Sequence, residues 1–352
     1  MRTLASRSLR FLFSLSAVGS EAAFIEDIPC RSNATHIVWK SPQMNVMPPT
    51  FGRRTSQSTI SSNRCTVQLR EEAERECLLY LRENIMSFDI PFAHTMGFDN
   101  SEDADGLGNG MVGPTVKLAL DAKVLYPWAD EAPKYIFLNY ILNYAHFNEA
   151  RTNWRPLLVD TMNFTGSDLW KSGTANLTSA VTWVNEHLWT LLGRDGAPIY
   201  FKASQTPLIF DPMSTIAFGY ASCTGTSILF ANALRALGIP CRVAGTPAWW
   251  GDASKGNHNW VEVFDGGAWK FLEPSPALPN VDTLDNNPCS RCFCDKSRYP
   301  ATKVYAARMS THSTMESDPA TYFPLAWELD CHDVPAIDRT QYYEEVCGLC
   351  LD

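Results

Sequence analysis

The stretch from Ala221 to Pro276 constrains this chain more than any other. Cys223 is followed by Ile228, Ala231, Leu234 and Leu237, an apolar stripe with a period of three to four that predicts a helix. Gly238 supplies its stop and Pro240 reinforces it. Cys223 therefore stands at the start of a buried helix, where free N–H groups and the macrodipole favour an anion, and so a thiolate. Taken alone, a buried cysteine beside a helix is ordinary packing. The residues downstream of the helix give it partners. His258 to Phe264 alternates as a strand, with His258, Trp260, Glu262 and Phe264 on one face. Asp265-Gly266 reads as a two-residue hairpin turn, and Trp269 to Glu273 as the returning strand. That turn sets Phe264 opposite Gly267 and His258 opposite Glu273, so imidazole and carboxylate meet on one face. A three-residue loop or a bulge at Gly267 would shift the register and move Glu273 to the other face. A cysteine at a helix start plus a histidine oriented by a carboxylate supplies a nucleophile, its base and the group that holds the base.

The rest of the chain is long enough to build around this stretch. It has 352 residues, 45% hydrophobic and only 19% charged, which excludes disorder over most of its length. A net charge of −9 argues against a nucleic-acid or anionic-membrane surface. Residues 25–64 are polar and turn-rich, an irregular lead-in. Helical spacing recurs over residues 66–85, 115–123, 135–144 and 177–192. Between the first two, residues 99–113 form an acidic, glycine-rich loop. Its Ser101-to-Gly106 run has calcium-loop spacing, but position twelve is Val112 where a bidentate Glu is required, so a solvated loop is expected.

Residues 1–23 run from basic (Arg2, Arg7, Arg10) through apolar to small, the order of a secretory signal peptide. A mitochondrial presequence, also Arg- and Ser-rich, is the alternative. Sequons at Asn33, Asn163 and Asn176 favour secretion, and no later run reaches the roughly 18 apolar residues of a membrane span. The protein is therefore expected to be secreted or lumenal. Its eleven cysteines fit that compartment and leave at least one thiol over. Cys223 is expected to be a free thiol, with most of the others paired. Cys289, Cys292 and Cys294, with Cys347 and Cys350, also admit a zinc reading, although no histidine has finger-like spacing to them.

These residues resemble the transglutaminase-like superfamily. Cys223 and the following SILFANALRALGIPCRVAG look like its nucleophile helix and next strand. HNWVEVF looks like its histidine strand and GGAWKFLEPSP like its acid strand, with Glu273 where the family usually carries Asp. Flanking segments, from WADEAPKYIF upstream to YFPLAWELDC downstream, resemble a bacterial and algal-type group with this domain, extending coverage to roughly Cys77–Tyr343. The resemblance implies an α+β, papain-like fold, a central helix packed on an antiparallel sheet, with a helical N-terminal flank. The expected organisation is a signal peptide (1–23), a lead-in and helical flank (24–125), the transglutaminase-like core (126–285) and a Cys-rich C-terminal extension (286–352).

The chemistry so implied is attack by a Cys223 thiolate on an amide carbonyl, with His258 as base and then acid and Glu273 orienting the ring. The backbone N–H of Cys223 is one oxyanion donor, and the indole of Trp189 is a second unless it is core packing. Trp249 and Trp250 either line an acyl cleft or cap the core. Asn257 and Asn259 flank the base, His146 is structural, and Cys241 is packing or a bridge partner. No cofactor or metal is called for, and the partner is a protein or peptide substrate. The function implied is acyl transfer or hydrolysis at protein or peptide amides. Two alternatives stand beside it: a noncatalytic binding module, favoured by Glu in place of Asp, and a glycan-releasing peptide amidase, which the flanks do not resemble.

Overall fold

The structure, a computed structural model, describes residues 57–98, 110–165, 175–276, 281–284, 303–310 and 319–348. Its helices are α1 (Gln57–Glu83), α2 (Val112–Leu125), α3 (Trp154–Thr165), α4 (Leu177–Leu191), α5 (Pro212–Phe218), α6 (Cys223–Ala236) and α7 (Thr340–Gly348), besides single turns. The strands are β1 (Tyr200–Phe201), β2 (Tyr220–Ala221), β3 (Cys241–Thr246), β4 (His258–Asp265), β5 (Ala268–Leu272), β6 (Tyr305–Ala307), β7 (Ala320–Tyr322) and β8 (Pro335–Asp338). Six of these form one antiparallel sheet in the order β5-β4-β3-β6-β8-β7, while β1 and β2 make a short parallel pair. The fold is α+β, with a central helix on an antiparallel sheet.

That helix is α6. Every residue from Thr224 to Ala236 is buried, the polar ones included. One apolar stripe would suit a helix with a solvated side, and α6 has none: β3 and β4 lie along it, and α2, α3, α4 and α5 also pack on it. On the sheet, Val243, Val261, Val263 and Leu272 join the core shared with α6. The opposite face carries a second core of Ala244, Trp260, Phe271, Ala306 and Ile337, closed by Tyr343 and Cys347 of α7. Residues 305–338 thus supply three of the sheet's six strands, and the sheet runs across the boundary expected at residue 285.

The hairpin differs from the sequence reading by two residues. The ladder pairs Val261 with Leu272 and Asp265 with Ala268, so the turn is Gly266-Gly267 and not Asp265-Gly266. A tight turn of this kind needs positive φ at both central residues, and the two glycines adopt +60° and +87°. Asp265 in that position would place a Cβ in the left-handed region. It closes the ladder, and its carboxylate takes Lys270 Nζ at 2.6 Å. A shift of two preserves every face, since strand side chains alternate with period two.

The flank departs from expectation twice. Residues 57–64, read as irregular, continue α1 towards its start, because extending a formed helix adds a bond per residue fixed and polar residues accept it cheaply. The helix expected over 135–144 is a turn at Lys134–Ile136 followed by a π-helical turn at Phe137–Ile141. Two buried guanidiniums account for this. Arg155 donates to the Ile141 carbonyl at 2.6 Å, and Arg235 donates to those of Tyr140 at 3.1 Å and Ala145 at 3.2 Å, supplying what helical bonds would have given. Val112, the twelfth position of the calcium-like spacing, is a fully buried first residue of α2. Residues 99–109 of that loop, residues 1–23 expected to be a signal peptide, Asn33, and Cys289, Cys292, Cys294 and Cys350 all lie outside the described residues. None of the described helices is long and apolar enough to cross a membrane.

Candidate active site

Cys223 is the first residue of α6, where backbone N–H groups have no intrahelical acceptor. Its thiol faces the His258 ring and the backbone N–H of Asn259, and both act to lower its pKa. His258 opens β4. Its Nε2 lies 3.1 Å from Glu273 Oε1 and 3.2 Å from Oε2. The carboxylate therefore occupies one ring nitrogen and leaves the other for the thiol. The shifted register shows how Glu273 arrives there. The β5 ladder ends at Leu272, so Glu273 is a diagonal neighbour of His258 and not its direct partner. Diagonal neighbours stand about 7–8 Å apart, a gap that a long side chain closes.

Charge follows from these contacts. Burial opposes an ionised Cys223, yet the His258 bond, the charge on that ring and the Asn259 N–H outweigh it, and the thiol's pKa lies below its ordinary value. Burial likewise opposes a charged His258, but the Glu273 carboxylate and the Cys223 sulfur hold it well above the usual imidazole range. Both shifts favour the thiolate–imidazolium form of the pair. The other free cysteines behave in the opposite way: burial pushes Cys241 up to about 11, and raises Cys77 and Cys331. Among these four thiols, only the surroundings of Cys223 favour ionisation. The histidine and glutamate side chains keep 18% and 21% of their exposure, so a substrate can reach the site.

Neighbouring residues hold β4 against α6. Asn259 Nδ2 donates to Thr224 Oγ1 at 2.8 Å. A Cβ at Gly245, across the ladder, would meet Asn259 Oδ1 at 2.2 Å and the His258 carbonyl at 2.4 Å, so only glycine allows this approach. Trp249 is buried and stacks near the His258 ring, with centroids 6.3 Å apart. Trp250 is 47% exposed and sits at a φ of +55°, a backbone state that costs a bulky residue energy. The Trp189 indole donates to the Asn185 carbonyl at 2.7 Å and packs on Phe230, so its donor is engaged within α4. His146 is buried against Asn232 of α6 at 3.0 Å. Cys241 is a free thiol bonded to the Ala231 carbonyl at 3.2 Å.

Beneath the histidine lies a charge cluster that the sequence reading missed. Glu262, fully buried, accepts from Arg242 Nε at 2.6 Å, Arg339 Nε at 3.1 Å and Tyr343 Oη at 2.8 Å. Tyr343 Oη also accepts from the Trp260 indole at 2.8 Å, and the Trp260 ring stands 5.8 Å from His258. The three partners of Glu262 come from β3 and from the C-terminal segment, and alternation along β4 gives no hint of them. The signal that was present is a charged residue amid the apolar alternation of HNWVEVF.

The asparagines of two sequons, Asn163 and Asn176, are exposed, and each accepts a hydrogen bond through Oδ1: Asn163 from Tyr126 Oη at 3.0 Å, and Asn176 from Ser179 N at 2.8 Å, where it caps α4. Cys347 is disulfide-bonded.

Residues 172–274 match the family model described as the transglutaminase-like superfamily. A solved structure described as "a Putative Cysteine Protease from Cytophaga hutchinsonii" aligns at 15% identity, covering 56% of this chain and 67% of that one. Its TM-score is 0.24, too low for the likeness to bear on fold or activity. No curated protein matches the chain.

Proposed function

Residues 172–274 being a transglutaminase-like core, we propose that the protein is a cysteine-dependent enzyme that opens protein or peptide amides through a thioester. The observation that carries this is the Glu273 carboxylate holding His258 Nε2 at 3.1 Å, beside a Cys223 that opens α6, and there the thiol is lowered and the imidazole raised. The thiolate attacks the amide carbonyl. The tetrahedral oxyanion lies at the start of α6, within reach of the Cys223 backbone N–H. The imidazolium gives its proton to the leaving nitrogen, the C–N bond breaks, and a thioester remains on Cys223. The now neutral ring takes a proton from water or an amine as it attacks, and thiolate and imidazolium are restored. Glu273 holds the ring throughout and stabilises its charge.

Trp249 and Trp250 form the wall of the acyl cleft beside the base, the exposed ring of Trp250 being the one that meets substrate. The noncatalytic alternative drew on Glu replacing Asp, and the carboxylate's contact with His258 weighs against it. We further propose that the protein enters the secretory pathway and carries glycans on Asn163 and Asn176, both exposed.

The test is turnover or acyl-enzyme formation on a panel of peptide amides, with water and primary amines as acceptors. The expected result is a bell-shaped pH profile in wild type and a loss of at least about 10³-fold in Cys223→Ser. A folded wild-type protein that never acquires acyl mass on Cys223 would overturn the reading in favour of a binding module.

A further inference from the structure

Glu273 lies one residue beyond the last ladder pair of β5, so the sheet does not hold it. Something else fixes its backbone. Its N–H donates to Asp282 Oδ2 at 2.8 Å. Its carbonyl accepts from Asn185 Nδ2 at 3.0 Å. The same Nδ2 donates to the Asp282 carbonyl at 3.2 Å, and Asn185 Oδ1 accepts the Ser275 N–H at 2.9 Å. Ser275 Oγ accepts the Asp282 N–H at 3.1 Å. Asn185, Ser275 and Asp282 are all buried.

We propose that Asn185 and Asp282 are positioning residues for the active-site acid, replacing a strand neighbour at the point where the sheet stops. This rests on the function proposed above and deepens it. Two features carry it. Asn185 uses its amide nitrogen on two carbonyls and its oxygen on one N–H, binding the backbone of Glu273, Ser275 and Asp282 with nearly the whole capacity of the side chain. It does so from α4, a helix whose own frame is fixed by the Asn176 cap and by the Trp189 indole on the Asn185 carbonyl. A buried asparagine bonded this fully cannot rotate without orphaning three backbone groups. The backbone at Glu273 is therefore fixed, and its side chain is presented to His258 at a set distance. Moving the carboxylate away destabilises the imidazolium and, through it, the thiolate.

The readout is the pH dependence of iodoacetamide alkylation at Cys223, followed by peptide mass mapping on the full chain. Wild type should alkylate well below the ordinary thiol pKa. Asn185→Ala and Asp282→Ala should each slow the reaction about tenfold at pH 6 while leaving the rate at pH 10 unchanged. Asp282→Asn, which keeps an oxygen for the Glu273 N–H, should restore the wild-type profile. Cys77 and Cys241 serve as the folding control. Both are buried, so their protection in a variant separates a displaced acid from an unfolded chain, and Asp282→Ala stands if Asn185→Ala fails that control.

A folded Asn185→Ala or Asp282→Ala protein with the wild-type profile would overturn the positioning role, provided Glu273→Gln loses that profile. If Glu273→Gln and His258→Gln both leave it unchanged, the thiolate–imidazolium pair itself is absent, and the proposed function fails with the positioning.

Discussion

At the scale of single residues, the most informative departure is Glu273. It stands where the superfamily usually carries Asp, and it reaches His258 along a diagonal of the sheet at 3.1 Å. Shortening it by one methylene withdraws the carboxylate by about 1.5 Å. Misplacement on that scale is costly in a preorganised site. Glu273→Asp should therefore lower kcat/KM about 10- to 100-fold, measured on whichever amide substrate wild type turns over. A variant as active as wild type would mean that the acid's reach is not limiting. This is also where the sequence was most and least legible. Cys223, His258 and Glu273 were each identifiable, because a helix start and strand alternation fix where side chains go. Asn185 was not, although it interrupts the apolar positions Val181, Val184 and Leu188 on one face of α4. A polar residue on an apolar face signals a bond to something, and spacing alone does not say to what.

At the scale of elements, the hairpin shows how turn chemistry decides register. Asp-Gly and Gly-Gly are both good two-residue turns, and they overlap in Asp265-Gly266-Gly267. Free choice of φ at both positions wins, and the ladder moves by two. Had it moved by one, every face would have inverted and Glu273 would have pointed away from the base. The turn can be tested directly. A Cβ at Gly267 meets nothing within 4 Å, so Gly267→Ala costs only its backbone conformation at φ +87°. We expect a loss of about 1–2 kcal/mol in denaturant unfolding. Gly267→Asn should lose clearly less, because asparagine tolerates the left-handed region. Equal losses would point to a cause other than backbone conformation. The 135–144 segment teaches a related lesson. Its periodicity is helical, but Arg155 and Arg235 compete for its carbonyls, and both arginines lie outside the segment itself.

At the scale of the whole molecule, Glu262 ties three distant parts of the chain together. Its carboxyl is held down to about 2 against an ordinary 4.5: burial works to raise it, and Arg339 and Arg242 more than reverse that. A folded pKa below the unfolded one contributes stability that is fully present above pH 4.5 and is lost as pH falls toward 2. The size of that contribution is about 3 kcal/mol. Glu262→Gln should flatten the acid limb of the stability curve between pH 4.5 and 2, read by chemical denaturation across that range. It should also cost about 3–5 kcal/mol near neutrality, where Arg242 and Arg339 lose their buried counter-charge. An unchanged acid limb would show that Glu262 titrates normally.

The sheet's strand order also has a consequence for how the protein is made. Every residue of the Cys223, His258 and Glu273 site has been synthesised by position 273, yet Trp260, which flanks the base, is bonded by Tyr343. Strand β6, which covers the free edge of β3, and β8, which pairs with β6, are translated in that interval of seventy residues. At usual elongation rates the gap lasts roughly 4–14 s. Throughout it the nascent chain carries Cys223 beside an unfinished sheet. The ribosome thus delivers Cys223, His258 and Glu273 early and their framework late, so that the geometry of the site is complete only once Tyr343 has been made.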